Sequence, residues 1–289
     1  MQPSAEPLTL LAVHAHPDDE AIGTGGILAH HSSSGVRVAL VCATRGEVGE
    51  IVDPTIDEEE ARPRLGQIRE DELRCACGVL GVRELIFLGY RDSGMAGTPD
   101  NENPASFVRA DFEEATGRLV SIIRRLRPQV VVTYDEKGGY HHPDHIMAHR
   151  ITVAAFDAAG DSNRYPESGP TWQPSKLYYS AIPLSQMLQM EQYFRSVGIT
   201  SPFERADLKP ESFGTPDEII TTKIDVREYL PRKMEALTCH RTQIAADSFF
   251  FKIPEEFAKE GFGYEHFVRA RSLVPAPSPE DDLFAGLRE

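Results

Sequence analysis

The sequence predicts an α/β protein whose core is a Rossmann-like, mostly parallel sheet with helices on both faces. Three observations lead to this class: short apolar runs recur along residues 1–165, these runs show no helical stripe, and amphipathic segments separate them. When strands and helices alternate, right-handed crossovers place the strands parallel in one sheet. A chain of 289 residues is long enough to bury such a core without a metal or a disulfide as a staple.

The elements of residues 1–165 follow in order from this alternation. Apolar runs without a helical stripe predict strands that are buried on both faces, and apolar positions near helical spacing predict amphipathic helices. The helix that ends before Pro128 has a basic last turn, which suits the negative end of its dipole. The predicted strands are residues 8–13, 36–43, 85–88 and 129–133, and the predicted helices are residues 21–34, 65–80, 107–126 and 143–159.

Residues 166–289 are less regular. They predict a C-terminal α+β part that completes the functional site and packs with residues 1–165 as one domain. The last residues, 275–289, contain three prolines and an acidic run, so we expect them to pack poorly or to lie on a partner. The predicted strands of this part are residues 176–182 and 218–224, and the predicted helices are residues 183–197 and 226–241.

The chain is acidic, with 45 Asp and Glu residues against 30 Lys and Arg residues and a formal net charge of −15. Such a surface repels phosphate backbones and anionic lipid, so neither nucleic acid nor a membrane is expected as a partner. No apolar stretch reaches the length of about 18 residues that a spanning helix needs, and the N-terminus lacks the basic start of a signal peptide. We therefore expect a cytoplasmic protein that binds a small molecule, with a homo-oligomer as an open alternative.

The four cysteines, Cys42, Cys75, Cys77 and Cys239, form no C-x-x-C pair. On a helix the side chains of Cys75 and Cys77 point in different directions, so these two do not form a pair of ligands. Cytoplasmic proteins keep their thiols reduced. We expect all four cysteines to be free thiols.

Six of the ten histidines lie in two short segments. The first histidine segment is residues 14–20 (HAHPDDE), and the second is residues 141–149 (HHPDHIMAH). Each follows a predicted strand. Ligands of an open parallel sheet gather in the crevice at the carboxyl ends of the strands, so we expect the two segments to face each other across that crevice.

Imidazole and carboxylate groups are the ligands of catalytic zinc sites that leave one position open for water. His16, Asp19 and His145 predict a three-ligand set of this kind. Asp18 lies next to that set without needing to bind the metal, and a free carboxylate there can take a proton from the attacking water.

The second histidine segment offers a further titratable group. His142 is expected to stabilise an oxyanion and to protonate a leaving amine, and Asp144 is expected to hold the imidazole in its charged form. An activated water, a Lewis acid on the carbonyl and an acid for the poor leaving group are the parts that amide hydrolysis needs.

Other functions for these segments were weighed. An Asp-rich turn after a strand often caps the next helix, and Pro143 suits the first turn of a helix. His149 is predicted to be a packing histidine. The glycines at positions 23, 25 and 26 do not form G-x-G-x-x-G and the chain has no G-x-S-x-G, so neither a dinucleotide site nor a serine hydrolase is predicted.

The sequence resembles the PIG-L/LmbE family of zinc-dependent N-acetylglucosamine deacetylases. The resemblance rests on Ala15-His-Pro-Asp-Asp-Glu20 after the first strand and on His142-Pro-Asp-His145 at the start of a helix. It implies the roles that the side chains suggest by themselves: His16, Asp19 and His145 as zinc ligands, Asp18 as general base, His142 on the oxyanion and leaving group, and Asp144 as the residue that orients His142.

Within that family the chain is most similar to the mycothiol-type group, which contains the deacetylase of N-acetylglucosaminyl-inositol and the mycothiol-conjugate amidase. By this resemblance Arg69 and Asp92 contact substrate hydroxyls, and Tyr140 helps to stabilise the tetrahedral intermediate. Glu47 is expected to line the sugar pocket, and His240 to reach the site from the C-terminal part. Charge pairing for Arg69 and capping for Asp92 and His240 stay open as alternatives.

These residues predict a metal-dependent hydrolase that removes the N-acetyl group from an N-acetylglucosamine conjugate, with Zn²⁺ or Fe²⁺ in the site. One alternative is an amidase that cleaves mycothiol S-conjugates or another small-molecule amide. A second is a non-catalytic protein that binds a sugar or a metal. The spare carboxylate of Asp18 argues against the second alternative, because a site that only binds metal does not need it.

Overall fold

The computed structural model describes residues 7–198 and 209–288 of the chain. Its strands are β1 (Thr9–His14), β2 (Arg37–Cys42), β3 (Glu84–Phe87), β4 (Val130–Thr133), β5 (Lys176–Ala181), β6 (Thr222–Asp225) and β7 (Tyr264–Ser272). They form one sheet in the order β3-β2-β1-β4-β5-β7-β6. All pairings among β1 to β5 are parallel, whereas β7 runs antiparallel to β5 and β6. The predicted α/β class with a mostly parallel sheet is confirmed.

The helices of the described residues are α1 (Asp19–Ser33), α2 (Glu58–Ala61), α3 (Leu65–Leu80), α4 (Phe112–Leu126), α5 (Gly138–His141), α6 (Pro143–Ala159), α7 (Leu184–Val197), α8 (Pro210–Phe213), α9 (Leu230–Cys239), α10 (Phe249–Lys252) and α11 (Glu255–Gly261). None of them combines the length and the apolar character that a helix needs to cross a membrane.

Two hydrophobic layers sandwich the sheet, because successive side chains of a strand point to opposite faces. In β1, Leu10 and Ala12 pack with α1, α3 and α9 on one face. Leu11 and Val13 pack with α4 and α6 on the other face. This two-sided burial explains why β1 is a continuous apolar run and not an alternating one.

Several elements differ from the prediction, among them α4, β6 and β7. Helix α4 begins at Phe112 and not at 107, because the Asp111 side chain accepts a hydrogen bond from the backbone N–H of Glu114 and caps the helix there. Strand β6 begins at Thr222, four residues later than expected from 218. Strand β7 was not predicted: it is half-buried and carries charged residues, so it lacks the apolar run that identified the central strands.

Both predicted parts of the chain contribute strands to the one sheet, and a boundary at residue 165 stays a prediction. The expectation that residues 275–289 pack poorly is wrong for the stretch around Phe284. Leu283 and Phe284 are fully buried, and the buried Glu280 accepts a hydrogen bond from Lys176 at 2.6 Å. Buried ion pairs persist where both charges have partners, so this pair fixes the C-terminal stretch against β5.

The expectation of four free thiols is also wrong. Cys75 on α3 and Cys239 at the end of α9 form a disulfide, while Cys42 and Cys77 are free and buried. Helices α3 and α9 pack against each other, which brings two cysteines 164 positions apart to a Cα separation of 5.8 Å. Such a separation is in the range that a disulfide bridges. Reasoning from the cellular compartment alone contained no information about this contact.

One histidine far from the predicted site makes stability depend on pH. His31 on α1 is fully buried, and neither ring nitrogen has a hydrogen-bond partner among the described residues. Burial, together with the nearby His30 and Arg288, lowers the pKa of His31 to about 3. Below pH 6.5 the unfolded chain therefore takes up a proton that the folded chain does not, and stability falls as the pH falls.

We expect His31→Leu to remove this part of the pH dependence. Between pH 6.5 and pH 5 the wild type should lose about 1.5 kcal/mol more unfolding free energy than the variant, because the slope rises from half to nearly all of about 1.4 kcal/mol per pH unit over this range. Urea unfolding at the two pH values measures the difference. Equal pH slopes for both proteins would contradict the assignment.

Candidate active site

The two histidine segments meet at the carboxyl ends of β1 and β4. These strands are parallel neighbours in the centre of the sheet, with Ala12 paired to Val132. The strand order reverses at this point, where open α/β sheets form a binding crevice. The first segment leaves β1 and enters α1, and the second enters α6, so side chains far apart in sequence converge here.

His16, Asp19 and His145 form a triangle of donor atoms, which we call the metal triangle. The Nδ1 atom of His16 lies 3.2 Å from Nε2 of His145 and 3.5 Å from Oδ2 of Asp19. Asp19 Oδ1 lies 3.4 Å from His145 Nε2. Ligand atoms about 2.0–2.1 Å from a tetrahedral zinc ion are separated by about 3.4 Å. The spacing of these atoms, with one Asp19 oxygen towards each imidazole, is close to that of the ligands of a tetrahedral divalent ion.

Each member of the metal triangle is oriented by a further partner. Nε2 of His16 lies 3.2 Å from the carboxylate of Asp144, and Nδ1 of His145 lies 3.2 Å from the carbonyl oxygen of Gly138. Asp19 accepts a hydrogen bond from the Tyr134 hydroxyl at 2.7 Å. Such partners fix the tautomer and the ring direction of ligating histidines. Tyr134 was missed from the sequence, although its place directly after β4 was a usable signal.

Two other buried groups bring ligand atoms together: His16 with His142 and His145, and His16 with Asp92 and Asp144. The carboxylates of Asp92 and Asp144 face Nε2 of His16, the nitrogen that points away from the metal triangle. They also accept hydrogen bonds from backbone N–H groups, of Gly94 and Ser93 respectively. Their geometry is that of groups that orient the His16 ring.

Asp144 does not act on His142 as expected. Its carboxylate is bonded to Ser93 and His16, whereas its backbone N–H donates to Nδ1 of His142 at 3.1 Å. His142 thereby caps α6. An Nδ1 atom that accepts a hydrogen bond carries no proton, so the ring is neutral with its proton on Nε2. Burial, with His16 and His145 nearby, lowers the pKa of His142 to about 3 and favours the same state. The expectation of a charged His142 imidazole is therefore wrong.

Asp18 lies beside the metal triangle on a backbone with a φ of 106°, in the left-handed region that non-glycine residues rarely occupy. Its N–H donates to the carboxylate of Glu20 at 3.0 Å, and its own carboxylate lies 3.3 Å from Arg69. Burial raises the pKa of Asp18 to about 6, although the Arg69 guanidinium acts in the opposite direction. A carboxylate with a pKa close to neutral suits general base catalysis.

Arg69 is 3% exposed and connects two loops of the site. Its guanidinium donates to the carbonyl oxygens of Gly46 and Pro17, at 2.9 and 2.5 Å. Gly46 has a φ of 65°, and a Cβ at this position would lie 2.0 Å from the guanidinium. A larger residue at position 46 would therefore displace Arg69. Because Arg69 is buried, the alternative of a charge pair on the surface of the helix does not apply to it.

Asp92 and Glu47 act together. The carboxylate of Asp92 lies 3.5 Å from His16, and its backbone N–H donates to Glu47 at 3.0 Å. Burial opposes ionisation, but the hydrogen bond with His16 outweighs it and holds the pKa of Asp92 below its usual range. Glu47 does not line the cavity that His16 and Asp18 line, but it lines an adjoining cavity of about 510 Å³ that shares Val48 and Asp100 with it. Glu47 holds the backbone of Asp92, and its expected place in the sugar pocket stays a prediction.

The expectation that His240 contacts the substrate is also wrong. Its ring is fully buried, with Nε2 at 2.6 Å from Oε1 of Glu20, so it has no access to a solute in the crevice. The other oxygen of Glu20 holds the backbone of Asp18. Burial opposes protonation, but Glu20 and Asp18 raise the pKa of His240. His240 supports the Asp18 turn through Glu20, a residue that sequence reasoning passed over although it ends the first histidine segment.

We expect His240→Leu to lower the unfolding free energy by about 3 kcal/mol, because it leaves the buried Glu20 carboxylate without its charged partner. His240→Gln keeps a donor at this place and should lose less than half as much. Urea unfolding measures both. If the two variants lose the same stability, the contact with Glu20 does not have this role.

A cavity of about 420 Å³ opens above these groups, and we call it the polar cavity. Tyr140 stands at its edge, half-exposed, with its ring 5.9 Å from that of His142 and 4.8 Å from that of His145. Gln243, on the segment after α9, was not predicted and also lines it. The predicted residues on its lining are His16, Asp18, Arg69, Asp92, Tyr140 and His142.

Comparison with known proteins identifies the family of this chain. Residues 11–156 match the model of the PIG-L family, described as GlcNAc-PI de-N-acetylase. A 1D-myo-inositol 2-acetamido-2-deoxy-α-D-glucopyranoside deacetylase from Acidothermus cellulolyticus is 46% identical over 96% of this chain and 95% of its own length. The chain belongs to the PIG-L family. A second deacetylase of the same description, from Geodermatophilus obscurus, is 43% identical over 96% of this chain and 97% of its own length.

The fold of this PIG-L protein also matches a solved structure. The N,N'-diacetylchitobiose deacetylase from Pyrococcus horikoshii superposes with a TM-score of 0.63 at 21% identity, over 92% of this chain and 85% of the other. At this identity the match shows the fold alone. It agrees with the α/β architecture predicted from the sequence.

Proposed function

We propose that this PIG-L protein is a metal-dependent N-deacetylase that hydrolyses the acetamide of an N-acetylglucosaminyl-inositol. The metal triangle with a spare carboxylate beside it is the observation that carries the proposal. The enzyme class predicted from the sequence, an N-deacetylase, is supported by full-length relatives named as deacetylases. The inositol conjugate is the substrate in their names, and we extend it to this chain.

His16, Asp19 and His145 would hold the metal, and zinc fits the two imidazoles and one carboxylate with one open position. A bound divalent ion supplies Lewis acidity for the amide carbonyl and for the attacking water. Ferrous iron suits the same donors. Asp144 and Gly138 orient the two imidazoles, so that each presents one nitrogen to the triangle.

Asp18 would take the proton of the attacking water; its position next to the triangle, held by Glu20 and Arg69, supports this role. The Nε2–H of the neutral His142 would donate to the oxyanion, and the contact of Tyr140 with the same ring supports a shared role. We infer that Asp18 then returns the proton to the departing amine, since His142 has no second proton to give. The sequence left open which of the two residues does so.

Arg69, Asp92 and Gln243 bring a cation, an anion and an amide to the wall of the polar cavity. Sugar and inositol hydroxyls both donate and accept hydrogen bonds, so a wall with donors and acceptors suits them. Binding to a small molecule, a cytoplasmic location and the open question of a homo-oligomer stay predictions of the sequence.

Comparison of amide substrates tests this function. We expect purified protein with zinc to release acetate and free amine from N-acetylglucosaminyl-inositol, with a kcat/KM at least about tenfold above that for N-acetylglucosamine, since the inositol adds hydrogen bonds. A mycothiol S-conjugate included in the same panel tests the amidase alternative. Preference for the S-conjugate, or no amine from any substrate, would overturn the proposal.

A further inference from the structure

A second cavity, of about 330 Å³, lies on the other side of Tyr140 from the polar cavity. We call it the apolar cavity, because most of its exposed wall is apolar and includes Ile22, Ile182 and Met187. It reaches the metal triangle through Asp19 and His145, whereas the polar cavity reaches it through His16. The triangle therefore stands between two cavities of different chemistry.

The direction of the amide in the site follows from where its proton donors lie. The departing amine receives its proton from Asp18, and His142 donates to the oxyanion; both residues line the polar cavity. Neither belongs to the described lining of the apolar cavity. The nitrogen and its sugar therefore lie on the polar side. The two substituents of a planar amide carbon diverge, so the acyl carbons point away from the sugar, past Tyr140.

The apolar cavity is much larger than an acetyl group requires. A methyl group is close in size to a water molecule, whose share of the liquid is about 30 Å³. The cavity also shares Ile22, Gly23 and Ile182 with a neighbouring apolar cavity of about 270 Å³, so the space continues away from the metal triangle. An aliphatic chain of several carbons matches this shape and polarity.

We propose that the apolar cavity binds the acyl chain of the amide substrate, so that the enzyme hydrolyses N-acyl amino sugars with chains several carbons longer than acetyl. The inference rests on the proposed function and adds a substrate class to it. The reaction keeps the same balance: the amide C–N bond breaks, water adds its oxygen to the acyl carbon, and a fatty acid and a free amine are released.

A chain-length series tests the inference. N-acetyl, N-propionyl, N-butyryl and N-hexanoyl forms of the same glucosaminyl-inositol are given to the zinc-loaded full chain, and free amine is measured. Burial of each added methylene is worth about a fourfold gain at most. We expect kcat/KM to be maintained or to rise from acetyl to hexanoyl.

Gly23→Leu tests whether the cavity itself is responsible. Gly23 lies on α1 and lines the apolar cavity, and a Cβ there meets no described atom within 4 Å. The Cβ of a leucine has open space there and its side chain takes up part of the cavity, so the ratio of hexanoyl to acetyl kcat/KM should fall about tenfold or more. Gly78→Leu on α3 is the matched control, since its Cβ also meets nothing and it lies outside both cavities. It should leave the ratio unchanged.

The outcomes separate the two proposals. If the acetyl compound is hydrolysed and kcat/KM for the hexanoyl compound is less than a hundredth of the acetyl value, the proposed acyl-binding cavity is wrong. The proposed deacetylase function is then unaffected. If Gly23→Leu and Gly78→Leu have the same ratio of hexanoyl to acetyl kcat/KM, the proposed acyl-binding cavity is also wrong. No amine from any member of the series overturns the proposed function itself.

Discussion

Asp18→Asn should lower kcat for acetamide hydrolysis by about a thousandfold while leaving one metal ion bound per chain. General base catalysis contributes about 10²- to 10⁴-fold, and asparagine keeps the size of the side chain but cannot take a proton. Asp18 lies beside the metal triangle and not within it, so metal binding should persist. Steady-state kinetics and metal analysis of the same sample measure the two effects.

A control separates this role from a general loss of negative charge. Asp71→Asn removes a carboxylate from the exposed face of α3 and should keep wild-type kinetics. Full activity in Asp18→Asn would exclude Asp18 as the general base. If the metal is lost together with activity, Asp18 binds the metal and is not assigned to proton transfer.

His145→Ala should lose metal and activity together. His145 supplies one corner of the metal triangle, and even partners outside the ligand set typically contribute 10- to 100-fold to metal affinity. We therefore expect more than about a hundredfold weaker metal binding. Equilibrium dialysis against limiting zinc, followed by metal analysis, measures the change.

His149→Ala is the matched control on the same helix. His149 lies one turn further along α6, where its Nδ1–H donates to the carbonyl oxygen of Tyr134 at 2.9 Å. It should retain wild-type metal content. Circular dichroism of both variants shows whether the fold is intact. Equal metal content in His145→Ala and wild type would exclude His145 as a ligand.

The sequence was sufficient where local pattern and topology agree. Apolar runs identified β1 and β4, and their adjacency in a parallel sheet placed His16 and His145 in one crevice, 3.2 Å apart. The convergence needed no side-chain detail, because parallel strands present their carboxyl ends at one edge. This is why the metal triangle was predictable and its surroundings were not.

The roles of Asp144, Glu47 and His240 depended on contacts that no pattern specifies. The Asp144 side chain turns to Ser93, a residue 51 positions earlier. His240 meets Glu20 across 220 positions and so becomes a buried support in place of a substrate contact. Long-range contacts of this kind depend on packing of α9 and its following segment against α1, which composition and periodicity do not determine.

Metal titration of protein freed of metal by a chelator tests the central claim most directly. Acetate release from N-acetylglucosaminyl-inositol should be absent without metal, rise linearly with added zinc and reach a plateau at one equivalent per chain. The same titration of His145→Ala should show no rise over this range. Acetate release by the metal-free protein at the rate of the zinc-loaded protein would contradict a hydrolase built on His16, Asp19 and His145.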